Sequence, residues 1–211
     1  MTKNKTKKGS RTPTAPANKI IEAALRLASA TQWDEISLEK IAIEADVSEN
    51  VIQSLFPSKL SILIAYSQQI DKEALARSTS ISIDEPIKDR LFEAMMIRLD
   101  IMLIHKEAVR NIIRSTVPRN TMAVAAGVCS LRHSMRQILE SCGDTPGGLR
   151  GNAKIQVLML IYLNVLRVWL NDDSADTGKT MAILDKSLSH ADSLIKWLQN
   201  GCLRHFLNEQ P

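Results

Sequence analysis

Residues 41–59 read IAIEADVSENVIQSLFPSK, and this stretch decides the fold class. Small and aliphatic residues at helical spacing lead into Asp46-Val47-Ser48, which is typical of a tight turn between two short helices. Ser48 is expected to cap the second of these helices, over 49–55, and Pro57 disfavours helical backbone at the residue before it. Two short helices joined in this way indicate a helix-turn-helix.

Apolar stripes along the rest of the chain predict an all-α protein. One helix is predicted before the motif, over about 18–30, and Ser37 is expected to cap the next one. A long helix follows from about Lys59 to Arg77, and the polar segment from Ser78 to Pro86 marks a domain boundary. Further helices are predicted at about 86–104, 105–115, 119–141, 152–170 and 177–208.

The positive charge of the chain is confined to its beginning. Residues 1–19 hold six basic residues and no acid, whereas the remaining 21 of the 27 Lys and Arg face all 23 Asp and Glu. Residues 1–17 are also rich in Thr, Pro and Ala, which predicts a disordered tail. Such a tail can serve solubility, enter a DNA minor groove or bind anionic lipid. Three parts result: this tail, a head over 18–77 and a body over 86–208.

The head resembles the DNA-binding domain of the TetR family of regulators. The likeness rests on Ile41-Ala42, Ala45, Val47-Ser48, Ile52, Phe56-Pro57-Ser58-Lys59 and Leu63. It implies a DNA operator as partner, contacted by the third helix and the residues that flank it, and the basic tail could supply further cations. The candidate DNA-binding residues are Ser48, Asn50, Gln53, Lys59, Lys7, Lys8 and Arg11. Among these, Asn and Gln side chains can pair with adenine edges.

The third helix departs from the usual phosphate-binding surface. The family has a Lys or Arg, Gly, Thr and Tyr where this chain has Glu49, Asn50, Val51 and Gln53, and Leu55 replaces a Tyr or His. Residues 20–59 carry three basic and seven acidic side chains, a net charge of −4. Because phosphate neutralisation dominates affinity for DNA, we expect any DNA binding to depend on the basic tail.

The body is rich in methionine and contains a segment, 155–170, that is apolar on most sides. Met side chains adapt their shape and suit a cavity for a flexible apolar ligand, although they also fill ordinary cores. A helix that is apolar all round belongs at the centre of a bundle or at a dimer interface. The candidate ligand-binding residues are Met95, Leu99, Met102, Met135, Met159, Tyr162, Leu166 and Trp169.

Residues 90–190 resemble the accessory family of ubiquinone biosynthesis that shares the TetR fold. The likeness rests on Arg98-Leu99, His105 to Arg110, Gly143-Asp144-Thr145, Trp169 to Ser174 and Ala182-x-Leu184-Asp185. It implies a homodimer that binds an isoprenoid or quinone-like lipid and presents it to a hydroxylase of that pathway. The family's aromatic pair after Gly-Asp-Thr is replaced here by Arg150-Gly151-Asn152-Ala153, which argues against docking to the hydroxylase.

The end of the chain is a candidate membrane-contact helix. Its apolar face contains Leu194, Ile195, Trp197, Leu198 and Phe206. The resemblance implies an amphipathic helix that touches a membrane; packing onto the bundle or across a dimer is an equal alternative. No apolar run reaches the ~18 residues of a membrane span, and the N-terminus lacks a secretory signal. We therefore expect a cytoplasmic protein, at most peripheral at the inner face of a membrane.

The sequence predicts no enzyme, no cofactor and no metal site. It has no P-loop, dinucleotide fingerprint, zinc-protease motif or nucleophile elbow. Its three cysteines are odd in number and fit free thiols. Cys129 and His133 are spaced as half a metal site, but no second pair completes it. The acids over 172–176 are expected to cap the last helix, whose dipole favours negative charge.

Two functions of different classes remain, and the position of charge separates them. A head with a net charge of −4 over residues 20–59 and an apolar body favour a lipid-binding accessory protein of ubiquinone biosynthesis. The alternative is a TetR-family transcriptional regulator in which an apolar effector fills the same interior and shifts the spacing of two heads in a dimer. A scaffold of this fold with neither activity is the third interpretation.

Overall fold

The computed structural model describes the backbone of residues 15–174 and 176–207, with side chains up to residue 193. This part of the chain contains nine α-helices and no strand, which confirms the all-α prediction. The helices are α1 (Ala15–Ala30), α2 (Leu38–Glu44), α3 (Glu49–Leu55), α4 (Lys59–Ser78), α5 (Ile87–Met102), α6 (Lys106–Thr116), α7 (Thr121–Ser141), α8 (Gly148–Trp169) and α9 (Gly178–Leu207). Single 3₁₀ turns lie at Trp33–Glu35 and Leu103–His105.

The helix-turn-helix of the head is formed by α2 and α3. The Ser37 hydroxyl caps α2 by accepting a hydrogen bond from the Lys40 N–H at 3.3 Å. Asp46 turns the chain between the two helices with a φ of 53°, a left-handed conformation that Asp tolerates better than most residues. The predicted bounds of α3 are confirmed, but the predicted cap is wrong, because the Ser48 side chain makes no capping hydrogen bond.

Two helices begin earlier than their apolar stripes predict. α1 begins at Ala15, and Ala17 in its first turn is buried against the head. α8 begins at Gly148, four residues before the predicted start. A Cβ at residue 151 would lie 2.2 Å from the carbonyl carbon of Pro146, so the first turn of α8 approaches the preceding loop closely because residue 151 is Gly.

The inward faces of α1, α2, α3 and the start of α4 form the core of the head. Its buried members include Ile20, Ile21, Trp33, Ile41, Ile52, Phe56 and Ile62. Helix α6 of the body closes this core with Ala108 and Ile112, and α1 packs along α6. The Asn111 side chain donates a hydrogen bond to the carbonyl of Ala28 at 2.9 Å, so α6 holds the end of α1 by polar contact as well.

Helix α4 belongs to both cores. Ile62 is buried in the head, and Ile70, about two turns later, is buried in the body with residues of α5, α7, α8 and α9. Buried apolar side chains in two separate clusters hold α4 at both ends, so a displacement of this helix moves the head relative to the body.

Many of the residues on which the resemblance to the ubiquinone accessory family rests stabilise the ends of helices. Gly143, with a φ of 78°, ends α7 in a Schellman motif, in which the N–H groups of Gly143 and Asp144 donate to the carbonyls of Glu140 and Leu139. At the end of α8, Arg110 Nε donates to the Leu170 carbonyl at 2.9 Å. Cations at the C-terminal end of a helix are stabilised by its dipole.

Asp172 caps the beginning of α9, as predicted for this acidic segment. Its carboxylate accepts hydrogen bonds from the backbone N–H and hydroxyl of Thr180, at 2.9 and 2.7 Å, and from the Ser174 hydroxyl at 2.5 Å. These bonds hold the pKa of Asp172 well below its usual range. Asp176 adds a bond from the Gly178 N–H at 3.1 Å, so two acids of this segment stabilise the helix start.

Candidate nucleic-acid interface

Helix α3 presents a polar face to solvent. Ser48, Asn50 and Gln53 are exposed, whereas Ile52 on the opposite side is buried in the head core. The two amide side chains offer both donors and acceptors, which suits pairing with base edges in a major groove. Glu49 is exposed in the same turn. Its negative charge is stabilised by the dipole of α3 but would repel phosphate.

Two of the basic side chains of the head are paired on its own surface. Arg26 Nε donates to Glu44 Oε1 at 2.9 Å, an ion pair between α1 and the end of α2. Lys40 Nζ donates to the carbonyl of Glu35 at 2.9 Å. Because both cations already have partners, contacts of these side chains with phosphate would compete with bonds inside the head.

Lys59, a predicted DNA contact, faces the head core. Its ammonium donates to the Trp33 carbonyl at 2.7 Å and lies 5.0 Å from the centroid of the Trp33 ring. Burial lowers the pKa of Lys59. Ammonium over an indole face is a stabilising arrangement, so this residue fixes the start of α4, and its role toward DNA stays a prediction.

The side chains of the remaining predicted DNA and membrane contacts lie outside the described part of the chain. Lys7, Lys8 and Arg11 lie outside the described residues. The same holds for the side chains of the predicted membrane contacts, which are Leu194, Ile195, Trp197, Leu198 and Phe206. Among the helices that are described, none is long and apolar enough to cross a bilayer.

The predicted ligand-binding residues lie together in the body core. Met95, Leu99, Met102, Met135, Met159, Tyr162 and Trp169 are buried there, and Leu166 packs against them partly buried. In this arrangement their side chains contact one another. A ligand among them would have to separate α5, α7 and α8, and their role as ligand contacts stays a prediction.

A buried ionic network crosses this core, and the sequence patterns did not reveal it. The Arg98 guanidinium of α5 donates to the Asp71 carboxylate of α4 and to the Tyr162 hydroxyl of α8, the latter at 3.2 Å. The Ser134 hydroxyl of α7 donates to the second Asp71 oxygen at 2.7 Å. Burial raises the pKa of Tyr162, which keeps its hydroxyl protonated as a partner for the network.

The network joins α4 to three body helices at one place. The side chains of Arg98 and Asp71 are only 5% and 9% exposed. A cavity of about 10 Å³ beside them, lined by Ser78 and Ser141 among others, has room for about one water molecule. Removing one partner of a buried ion pair leaves the other without compensation, so this pair governs where α4 lies.

No described group of three or more His, Cys, Asp or Glu side chains is arranged to hold a metal ion. Cys129 is exposed on α7, and Cys142 is buried at the end of the same helix. Burial raises the pKa of the Cys142 thiol, which makes it a poor nucleophile.

A helix-turn-helix head on an all-α body with a shared connecting helix defines the TetR-like fold, and solved structures agree. A TetR transcriptional regulator from Nitrosomonas europaea matches with a TM-score of 0.69 and 22% identity, over 83% of this chain and 97% of that one. A TetR regulator from Rhodococcus sp. RHA1 has a TM-score of 0.63 and 19% identity, over 83% and 94% of the two chains. A TetR-family regulator from Streptomyces coelicolor has a TM-score of 0.60 and 19% identity, over 95% of this chain and 92% of that one.

Neither a protein-family model nor a curated protein matches the sequence. The structural likeness confirms the TetR-like part of the predicted resemblance, and nothing in these comparisons supports the ubiquinone-biosynthesis part. At 19–22% identity these structures show the fold of this chain alone.

Asp71→Asn tests whether the buried pair fixes α4. The substitution leaves Arg98 buried without a carboxylate, and we expect the free energy of unfolding to fall by about 3–5 kcal/mol in chemical denaturation. Glu73→Gln is the matched control, because Glu73 lies on the same helix and pairs with Arg77 on the surface at 2.5 Å. That change should cost less than about 1 kcal/mol. Equal small losses for both variants would contradict the assignment.

Proposed function

We propose that the chain is a DNA-binding transcriptional regulator that acts as a homodimer and responds to an apolar effector. The observation that carries the proposal is the exposed polar face of α3, with Asn50 and Gln53, on a helix-turn-helix whose opposite side packs into the head. The structural neighbours are transcriptional regulators, which supports the same function. The proposal includes no catalytic step.

Cations for the phosphate backbone come, in this proposal, from the tail. The basic side chains Arg26, Lys40 and Lys59 of the head are engaged with partners inside it. Residues 1–14, just before α1, hold five basic residues and no acid. Each cation that reaches a phosphate releases counterions and adds affinity that falls with salt.

Dimerisation is proposed through α8. Leu149, Val157, Leu160 and Leu163 lie on one face of this helix and are exposed; Leu160 is 63% exposed. Several exposed apolar side chains on one face of a helix mark an interaction surface, and a two-fold dimer pairs the same face of two copies. Two heads side by side then fit two half-sites of an operator.

The effector, in this proposal, enters the apolar body core and acts through α4. Met95, Met102, Met135 and Met159 are polarizable side chains that can repack around an apolar molecule. Separating α5, α7 and α8 strains the network that holds Asp71, so effector binding and head position are coupled. An isoprenoid or quinone-like lipid remains one candidate effector, and a ubiquinone hydroxylase has no supporting observation as partner.

Selection of duplexes from a random library, followed by fluorescence anisotropy with the purified full chain, tests DNA recognition. We expect one sequence to be enriched, and Gln53→Ala to weaken its binding by about 1–3 kcal/mol while leaving binding to unselected duplexes unchanged. No enrichment of any sequence would contradict the proposed function.

Glu49→Lys provides the opposite test in the same assay. Replacing the acid by a cation at the start of α3 removes repulsion and adds a phosphate contact, so we expect about 5- to 20-fold tighter binding at low salt for every duplex. Glu140→Lys at the end of α7 makes the same change of charge on an exposed residue of the body. An equal gain for both variants would mean that net charge, and not the α3 face, governs binding.

Leu160→Glu tests the dimer. A charge at the centre of the apolar face of α8 should turn the dimer into a monomer at micromolar concentration, measured by sedimentation velocity, because a buried unpaired carboxylate costs several kcal/mol. Met122→Glu on α7, where the side chain is 77% exposed, makes the same substitution outside the face and should leave the dimer intact. A dimer that survives Leu160→Glu would place the interface elsewhere.

A further inference from the structure

The body has a second surface, an acidic groove that has no role in the proposed function. A groove of about 640 Å³ lies between α5 and the start of α9. Phe92, Met96, Leu103 and Met181 make its apolar part. Its carboxylates are Glu85, Asp89, Glu93, Asp100 and Asp176, and no basic side chain is among the described residues that line it.

The acids of the groove repel one another and have no cation in the lining. Asp89 and Glu93 are four residues apart on α5, a like-charge spacing that destabilises a helix. Two neighbouring cations have partners outside the groove: Lys88 Nζ lies 2.7 Å from Asp185 Oδ1, and Arg77, whose charge also acts on Asp100, pairs with Glu73. A cationic occupant would therefore relieve repulsion and gain ion pairs over an apolar surface.

Residues 1–14 of the same chain have the complementary charge. Lys3, Lys5, Lys7, Lys8 and Arg11 are accompanied by no acid. The first three alternate with other residues, so in an extended segment they lie on one side about 6.7 Å apart. Asp89 and Glu93 are about 6 Å apart along the axis of α5, which matches that spacing.

Helix α1, which the tail precedes, contacts the body close to one end of the groove. Glu22 Oε2 of α1 lies 3.5 Å from His105 Nε2, and Leu103, at one end of the groove, is two residues before His105. Ala15, where α1 begins, is about 10 Å along the helix from Glu22. Fourteen extended residues span up to about 46 Å, so the tail can follow α5 along the whole groove.

We infer that residues 1–14 bind in the groove between α5 and α9 of their own chain, with Lys3, Lys5 and Lys7 paired to its carboxylates. A tail held there is withdrawn from DNA, so the groove and the phosphate backbone compete for the same cations. The docking itself does not depend on the proposed function, whereas the competition with DNA rests on the proposed function. The groove thus acts as an autoinhibitory surface that sets how much of the tail is free to bind DNA.

Zero-length carbodiimide cross-linking of the full chain, mapped by mass spectrometry, tests the docking without DNA. We expect links from Lys3, Lys5 or Lys7 to Glu85, Asp89 or Glu93, and at least a fivefold loss of these links in about 0.5 M salt, where exposed charges are screened. Links spread equally over exposed acids outside the groove, such as Glu140, would overturn the inference.

Two further measurements sharpen the test. In an equal mixture of ¹⁴N- and ¹⁵N-labelled chains, unfolded and refolded together so that dimers exchange subunits, links within one isotope alone support docking in the same chain, and links between isotopes contradict it. The full chain carrying Asp89→Asn and Glu93→Gln should bind duplex DNA several-fold tighter, whereas Glu140→Gln should not. Cross-links in the groove together with no DNA binding would refute the proposed function and leave the docking intact. Unchanged DNA affinity in a chain that does bind DNA would refute the competition.

Discussion

The buried ion pair between Asp71 and Arg98 holds α4 against the body, and the position of this helix depends on it. Helix α4 begins in the head core with Ile62 and continues into the body core with Ile70. Tyr162 and Ser134 complete the network from α8 and α7. Four helices therefore meet at one buried ion pair, which couples the body to the head through α4, beside the direct packing of α6 on α1.

Such a network suits a protein with two arrangements of its head. Buried charges require nearly complete pairing, so the network favours discrete positions of α4 over a continuous range. The methionines of the body core can repack at small cost. A stiff polar link inside an adaptable apolar core is an arrangement that can convert ligand binding into a defined displacement of α4.

The distribution of charge explains why, in the proposed function, the head alone does not complete the contact with DNA. Three cations stabilise the head by bonding to partners within it, and they are Arg26, Lys40 and Lys59. Glu49 is the first residue of the exposed helix α3. The specificity of α3 and the affinity for phosphate are thus separated along the chain. In the proposed function this separation makes DNA binding adjustable, because a segment outside the head would set the strength of binding without altering the bases that α3 contacts.

Local signals in the sequence predicted much of the fold. The bounds of α3 and the Ser37 cap followed from short-range patterns, and so did the acidic start of α9. The expected cap by Ser48 was wrong, since the turn there is closed by the left-handed Asp46 and by backbone hydrogen bonds. Partnerships between distant residues were not accessible in this way: Arg98 and Asp71 belong to different helices, and the acidic groove joins α5 to a loop about 75 positions later.

Gly143, Asp172 and Arg110 explain the resemblance to the ubiquinone accessory family, because residues that stabilise helix ends recur wherever such helices pack in this order and so report the fold.

The salt dependence of duplex affinity separates the contribution of the tail from that of the head most directly. It is measured for the native chain and for a full-length variant carrying Lys3→Gln, Lys5→Gln, Lys7→Gln, Lys8→Gln and Arg11→Gln. If the tail neutralises the phosphates, the variant binds more weakly at low salt. The slope of log K against log salt then becomes shallower by about 0.9 for each phosphate that the variant leaves unneutralised, up to about 4–5 in all. An unchanged affinity and slope would contradict this account, because the acidic head would then hold DNA unaided.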